Sequence, residues 1–360
     1  MRTLANFFSR TRKCSLTSKS STLFHEIRRK KALIAALLVL LLAASLLAIT
    51  AGVYKITFVD VYLTVLKNLG FEIRMPLDYQ IVVWEIRIPR VLLASCVGIA
   101  LAVAGTVFQG IFRNPLVEPY LLGISAGAAC GAALSIVVGI SLISLQFTAF
   151  IFGIIATFIT YSLATTERET PIINLILAGI VVNAIFTAVI SYLKAIAAAN
   201  QLQALTFWLL GGFYSANWDD VAAIFWQVIL CTLIICSMGW RLNLMTMGDE
   251  EARSLGVDVK RTKALLLGLA TFITSVSVAT VGIIAWVGLI MPHIARMTIG
   301  PDHRYLLPAA AVMGGLFMVI CDTIARTLVM GEIPISIVTS IIGAPYLMYL
   351  VRTNRSLYFR

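Results

Sequence analysis

The chain has 360 residues, 60% of them hydrophobic and 12% charged, with a mean hydropathy of +0.94; soluble domains average about 25% charged. A bilayer-spanning helix uses about 20 residues, so this length holds roughly ten spans with short connections and excludes a second, soluble catalytic or binding domain of ordinary size. Lys and Arg exceed Asp and Glu by 28 to 17, but the excess flanks apolar runs and forms no basic aromatic stripes, so nucleic acid is excluded as a partner.

Residues 1–31 carry nine cations against one acid, Glu26, and read as a basic cytoplasmic leader under the positive-inside rule. The first apolar run, 32–53, is too long for a signal-peptide core and lacks an A-x-A cleavage pattern, so it reads as a retained anchor. Further apolar runs follow at 91–111, 119–138, 142–164, 172–193, 221–240, 264–284, 285–297, 305–325 and 334–352. That makes ten, an all-α polytopic membrane protein. Arg352, Arg355 and Arg360 close the chain, so both termini read as cytoplasmic, as an even number of spans requires. Residues 32–352 then form one transmembrane unit in the lipid bilayer of the cell's inner or cytoplasmic membrane, and 353–360 a cytoplasmic tail.

Alternation from a cytoplasmic start puts the 54–90, 139–141, 194–220 and 326–333 connections outside. Those at 112–118, 165–171, 241–263 and 298–304 fall inside, where Arg241, Arg253, Lys260, Arg261 and Lys263 cluster. Within 54–70, Phe58, Val61, Tyr62, Val65, Leu66 and Leu69 recur near helical spacing and predict an amphipathic helix on the membrane surface. Gly123, Gly127 and Gly131 form a GxxxGxxxG face suited to close helix packing. The eighth run is too short to span alone, and Pro292 interrupts it; such segments line a pathway or lie inside a bundle, because lipid cannot satisfy freed backbone groups.

Covalent chemistry has no visible apparatus. None of the six cysteines forms a CxxC and the three histidines are far apart in sequence, so neither a metal site nor a membrane enzyme is legible. No Gly-Lys pair provides a phosphate loop. Asp322 and Arg326 are charges at bilayer depth, spaced i,i+4; either they pair structurally or Arg326 reaches the outer surface to meet a partner. So few ionisable groups argue against the alternative of a proton-coupled secondary transporter. Energy would then come from a driver docked on the cytoplasmic side. Residues 245–263 suit that docking: a short helix with Asp249, Glu250 and Glu251 at its start, Leu255 inside and Gly256 as C-cap.

Five linked motifs resemble the FecCD-type permeases, membrane subunits of ABC importers for iron-siderophores, haem and cobalamin. They are RNPLVEPYLLGISAGA at 113–128, GDEEARSLGV at 248–257, VGLIMPHIAR at 287–296, DTIAR at 322–326 and EIPISIVTSIIGAPYLMYL at 332–350. The likeness runs from about Arg87 to the C-terminus; Ser336 stands where the family's Glu-Leu-Pro-x-Gly motif usually has Gly. The resemblance implies a type II ABC importer fold and a homodimer of ten-helix subunits around a central path. It implies two cytoplasmic ATPase subunits, which bind the ATP-Mg so that this chain needs no cofactor, and an external binding protein that delivers the substrate. Carried over residue by residue, Arg87, Arg90 and Arg326 resemble the arginines that meet the binding protein. Glu251, Ala252, Arg253, Leu255, Gly256 and Val257 resemble the ATPase-coupling segment, and Asn114 and Leu116 the cytoplasmic gate. An N-P turn that merely ends a helix would also account for these last two.

Overall fold

A computed structural model of the chain describes residues 2–139, 144–165, 171–328 and 331–353; side chains before His25 and the expected tail beyond Thr353 lie outside the described residues. All regular structure among the described residues is helical. In chain order the helices are α1 (Arg2–Thr50), α2 (Phe58–Asn68), α3 (Leu77–Gln80), α4 (Ile88–Phe112), α5 (Ile124–Val138), α6 (Leu145–Ala164), α7 (Ile172–Ile196) and α8 (Ala199–Leu210). There follow α9 (Trp218–Ser237), α10 (Gly239–Met247), α11 (Asp249–Ser254), α12 (Val259–Val281), α13 (Val287–Ile299), α14 (His303–Thr327) and α15 (Ile335–Thr353). Among the described residues, seven helical stretches are long and apolar enough to cross a membrane, and α5, α13 and α15 are shorter apolar helices. Together these ten correspond in order to the ten apolar runs.

Helix α4 is the hub. It is buried along nearly its whole length, with α14, α12, α13 and α9 packed on it. Such close packing needs small residues, because lipid supplies no hydrophobic drive for helices to associate. Gly98 of α4 lies against Gly314 of α14, and Gly105 against Gly288 of α13, so closely that a Cβ on Gly98 or Gly105 would strike the facing backbone. The glycines noted at 123, 127 and 131 do a related job on α6: Gly127 and Gly131 face the backbone of Phe152 and Thr148. Gly123 differs from that expectation, for it stands ahead of the helix with φ +84 and turns the chain into α5. Gly105→Ala should push α13 off α4 and cost about 1–3 kcal/mol, as overpacking does. A thermal melt of the detergent-purified chain checks this, with Gly268→Ala, where nothing lies near the added methyl, as the unaffected comparison.

Three connections differ from the sequence reading. The 54–90 stretch is largely helical, since Leu77–Phe112 is one continuous helical stretch that includes a π-helical segment at Ile81–Arg87; Arg87 and Arg90 therefore sit on a helix. The 194–220 stretch contains α8, and α10 separates α9 from the coupling segment. Pro292 does not interrupt its run but lies within α13. The break comes just before it, at 282–286, where Gly282 and Trp286 take positive φ. Its freed backbone groups are satisfied from within the bundle. Tyr120 Oη donates to the Ile284 carbonyl at 2.7 Å, Ser336 Oγ donates to the Ile283 carbonyl at 2.6 Å, and Gly212 N–H donates to Val281 O at 2.9 Å. The hydroxyl of Ser336 thus has its own use at the start of α15. Helix α2 forms as expected, closed by a capping box between Thr57 and Asp60; Val61 faces the bundle, while Phe58, Tyr62 and Leu69 are exposed.

Candidate functional sites at the two ends of the bundle

The α4 stretch begins near Arg87 and Arg90 and finishes at the 113–118 turn, so its ends define the two ends of the bundle. At the first, Arg87, Arg90 and Arg326 converge from positions more than two hundred residues apart, but their guanidinium groups turn inward. Arg87 donates to the carbonyls of Ile49 (2.8 Å), Thr50 (2.9 Å) and Tyr54 (2.6 Å). Arg326 donates to Ala51 O at 2.7 Å and to Ala48 O. Both therefore satisfy the orphan carbonyls at the end of α1, where no intrahelical N–H is available. Arg90 donates through Nε to Asp322 at 2.9 Å and through Nη1 to the half-exposed Glu332 at 2.7 Å. Asp322 is 1% exposed and also lies 3.5 Å from Arg326 Nε. The i,i+4 pair noted in the sequence is present, yet the tighter partner of Asp322 is Arg90, on another helix.

At the second end the 113–118 turn and the 248–257 segment, the one expected to couple to an ATPase, meet. Asn114 Oδ1 accepts from Leu116 N–H at 2.9 Å, a side-chain turn that fixes the loop and leaves Leu116 exposed. Arg113 takes φ 50, a left-handed conformation that costs of order 1 kcal/mol for a residue with a Cβ. Its guanidinium compensates by donating to Met245 O at 3.1 Å and to Asp249. Asp249 also accepts from the buried Lys263 at 2.9 Å. One carboxylate thus ties the turn after α4, the coupling segment and α12 together. The coupling segment ends as its residues dictate: Gly256 takes φ +83, Gly256 N–H donates to Arg253 O at 2.9 Å and Val257 N–H to Ala252 O at 3.0 Å, which is a Schellman closure. Glu251, Arg253, Leu255 and Gly256 are exposed and Val257 is half-buried, whereas Ala252 is fully buried and anchors the segment from behind.

The sequence signalled Asp322, Arg326 and the coupling helix. It did not signal that Asp249 reaches Arg113, 136 positions away, nor that Arg90 reaches Asp322 and Glu332. Lys263 inside the start of a span was the one available hint, because a buried cation requires a carboxylate. Among the described residues no group of three His, Cys, Asp or Glu side chains is placed to hold a metal.

Helices, break and turn occur in the order the five motifs require, and the model of the FecCD transport family matches residues 15–353. The chain belongs to the FecCD transport family. It is an integral membrane permease of the ABC importer class. It is 42% identical over 282 residues to a hemin transport permease, HmuU of Yersinia pestis, covering 76% of this chain and 84% of that protein. It is 39% identical over 291 residues to a cobalamin import permease, BtuC of Halobacterium salinarum, covering 81% and 78%. A molybdate import permease, MolB of Haemophilus influenzae, is 39% identical over 273 residues, covering 76% and 81%. Among solved structures, an inward-facing transporter assigned to the metal-chelate ABC type superposes with a TM-score of 0.80 at 35% identity, covering 89% of this chain and 99% of that one.

Proposed function

We propose that this FecCD permease works as a homodimer with two ATPase subunits on the Asn114 end and a substrate-binding protein on the Arg87 end. It then imports an iron chelate, haem or cobalamin across the inner or cytoplasmic membrane. The Asn114 end is the cytoplasmic one, which places both termini inside. ATP-Mg is bound by the partner subunits, and this chain supplies neither cofactor nor catalysis.

The carrying observation is the construction of the coupling segment. An apolar side chain, Leu255, stands exposed on a turn that is clamped from behind by Ala252 and by Asp249 between Arg113 and Lys263. A push on that turn by a motor domain passes through Asp249 directly to Arg113 and hence to Asn114 and Leu116, the gate. The relatives named for hemin, cobalamin and iron chelatin support the substrate class. A proton-coupled mechanism is disfavoured by Asp322, which is locked between Arg90 and Arg326 and so is no mobile proton carrier.

Docking of the binding protein through Arg87, Arg90 and Arg326 requires its carboxylates to replace the α1 carbonyls and the internal acids that now hold these groups. Guanidinium forks suit that exchange, because they bind carboxylates bidentately. Surface plasmon resonance with immobilised binding protein tests it. Arg87→Glu is expected to weaken binding and to reduce its salt dependence. Normal affinity in Arg87→Glu and in Arg326→Ala, with only a lowered melting temperature, would confine the three arginines to a structural role.

A further inference from the structure

A cavity of about 290 Å³ opens at the Asn114 end, where the end of α9 and the start of α10 meet the first turns of α12. Met238 and Leu265 form an apolar wall, Arg241 and Arg261 a cationic one, and the Gly256–Val257 turn closes the space. Asp258, also in the wall, is spent as the cap of α12: its carboxylate accepts from Arg261 N–H at 3.0 Å and from Arg261 Nε at 3.1 Å. The Nη groups of Arg261 are not engaged. Arg241 is exposed and makes no hydrogen bond or ion pair among the described residues. Two guanidinium groups beside one spent carboxylate leave the cavity with a net positive charge.

The cavity lies at the boundary of the bilayer, because α9 and α12 are both long and apolar enough to cross it. Away from this end, Leu230 and Ile234 precede Met238 at i,i+4 spacing on α9, and Gly268 follows Leu265 at i,i+3 on α12, so each set shares a helix face. Leu230, Ile234, Leu265 and Gly268 are exposed, and a Cβ added at Gly268 would meet nothing within 4 Å. An apolar groove therefore descends from the cationic cavity into the hydrocarbon. Trp240 marks the level of the interface: it is exposed beside Arg241, and the Arg304 guanidinium stands 5.3 Å over its ring. Amphipathic indoles of this kind collect where headgroups meet hydrocarbon.

We propose that this cavity binds an anionic phospholipid, its phosphate between Arg241 and Arg261 and an acyl chain laid along Leu265 and Gly268. Guanidinium groups donate to phosphate oxygens in pairs, which makes the phosphodiester the natural partner of this wall. A metal ion would be repelled, and a soluble anion would leave the apolar groove unused. A choline lipid carries the same phosphate but sets a quaternary ammonium against two cations. The bound headgroup touches the Gly256–Val257 turn, so the lipid braces the back of the segment whose Leu255 faces outward. This inference needs only that the chain spans a bilayer, and it stands apart from the assignment of the motor subunits.

The test titrates the detergent-solubilised full chain with phosphatidylglycerol or phosphatidylcholine of the same acyl chains and counts bound lipid by native mass spectrometry. The first phosphatidylglycerol should bind at a several-fold lower concentration than phosphatidylcholine. Arg241→Gln and Arg261→Gln should each raise that concentration roughly fivefold, the effect of one cation at an anionic lipid surface, and leave phosphatidylcholine unchanged. Arg352→Gln, which removes an exposed cation at the end of α15, should bind as wild type does. Glycerol phosphate, a soluble anion with no acyl chain, should not compete. Equal binding of the two lipids, an equal loss in Arg352→Gln, or competition by glycerol phosphate overturns the proposal. So does intact phosphatidylglycerol binding in Arg241→Gln with weakened co-purification of the ATPase subunits, which would give the cavity to the motor.

Discussion

Asp322→Ala is expected to destabilise the chain more than any other single change at the Arg87 end, by about 3–5 kcal/mol, the range seen when one partner of a buried ion pair is removed. Asp322 is 1% exposed, is gripped by Arg90 from another helix at 2.9 Å, and faces Arg326 along its own. Without it two guanidinium groups remain largely buried, with side chains 7% and 8% exposed. Arg90 keeps Glu332, which is half-exposed, and Arg326 keeps the α1 carbonyls. These partners limit the loss but leave a net buried positive charge. Arg326→Ala is expected to cost less, because it strands carbonyls at the end of α1 while Asp322 retains Arg90. Thermal melts of the detergent-purified variants should rank them in that order. A double replacement of Arg90 by Met and Asp322 by Leu should recover part of the loss, since apolar groups of similar volume often match a buried ion pair. A melting temperature for Asp322→Ala equal to wild type would mean that the cluster is hydrated and carries no structural load.

Leu255→Asp is expected to abolish ATP-driven transport with little loss in the amount or stability of the chain. Leu255 is 58% exposed and is the C-cap residue of α11, so an acid there opposes the helix dipole by at most about 1 kcal/mol. Stability should therefore fall little while the proposed apolar contact with a motor subunit is replaced by a charge. Ala252→Asp provides the contrast. Ala252 is fully buried behind the same turn, so an unpaired carboxylate there should prevent folding rather than uncouple a folded permease. Co-purification of the ATPase subunits, read beside transport and the melting curve, separates the two effects. Full transport in Leu255→Asp would reduce the segment to a connector.

The parts of this molecule legible in its sequence are those set by local composition. Ten apolar runs became ten apolar helices because each must satisfy its own backbone within lipid. The coupling helix formed where three acids precede a Leu-Gly pair, since acids favour the positive helix end and glycine alone takes φ +83 without strain. Contacts between distant segments were not legible. Arg90 read as part of an outside connection whose docking role came from the resemblance, and Arg326 as either paired with Asp322 or reaching outward; Asp322 and the unfinished last turn of α1 draw both inward. Arg113 read only as part of a motif, although its left-handed backbone and its bond to Asp249 make it the joint between the 113–118 turn and the 248–257 segment. Neither residue's immediate neighbours in sequence mention that partner. Helix α8 escaped notice because its short amphipathic pattern, between the lipid-length run of α7 and the Gly211–Gly212 turn, resembles a polar connection.

The central claim, an import permease driven by separate ATPase subunits, is tested most directly by reconstituting the chain into proteoliposomes with those subunits and loading the binding protein with a radiolabelled iron chelate. Uptake should require both ATP and the binding protein, and a proton gradient should neither replace ATP nor be dissipated. Uptake driven by a proton gradient in the absence of ATP would contradict it.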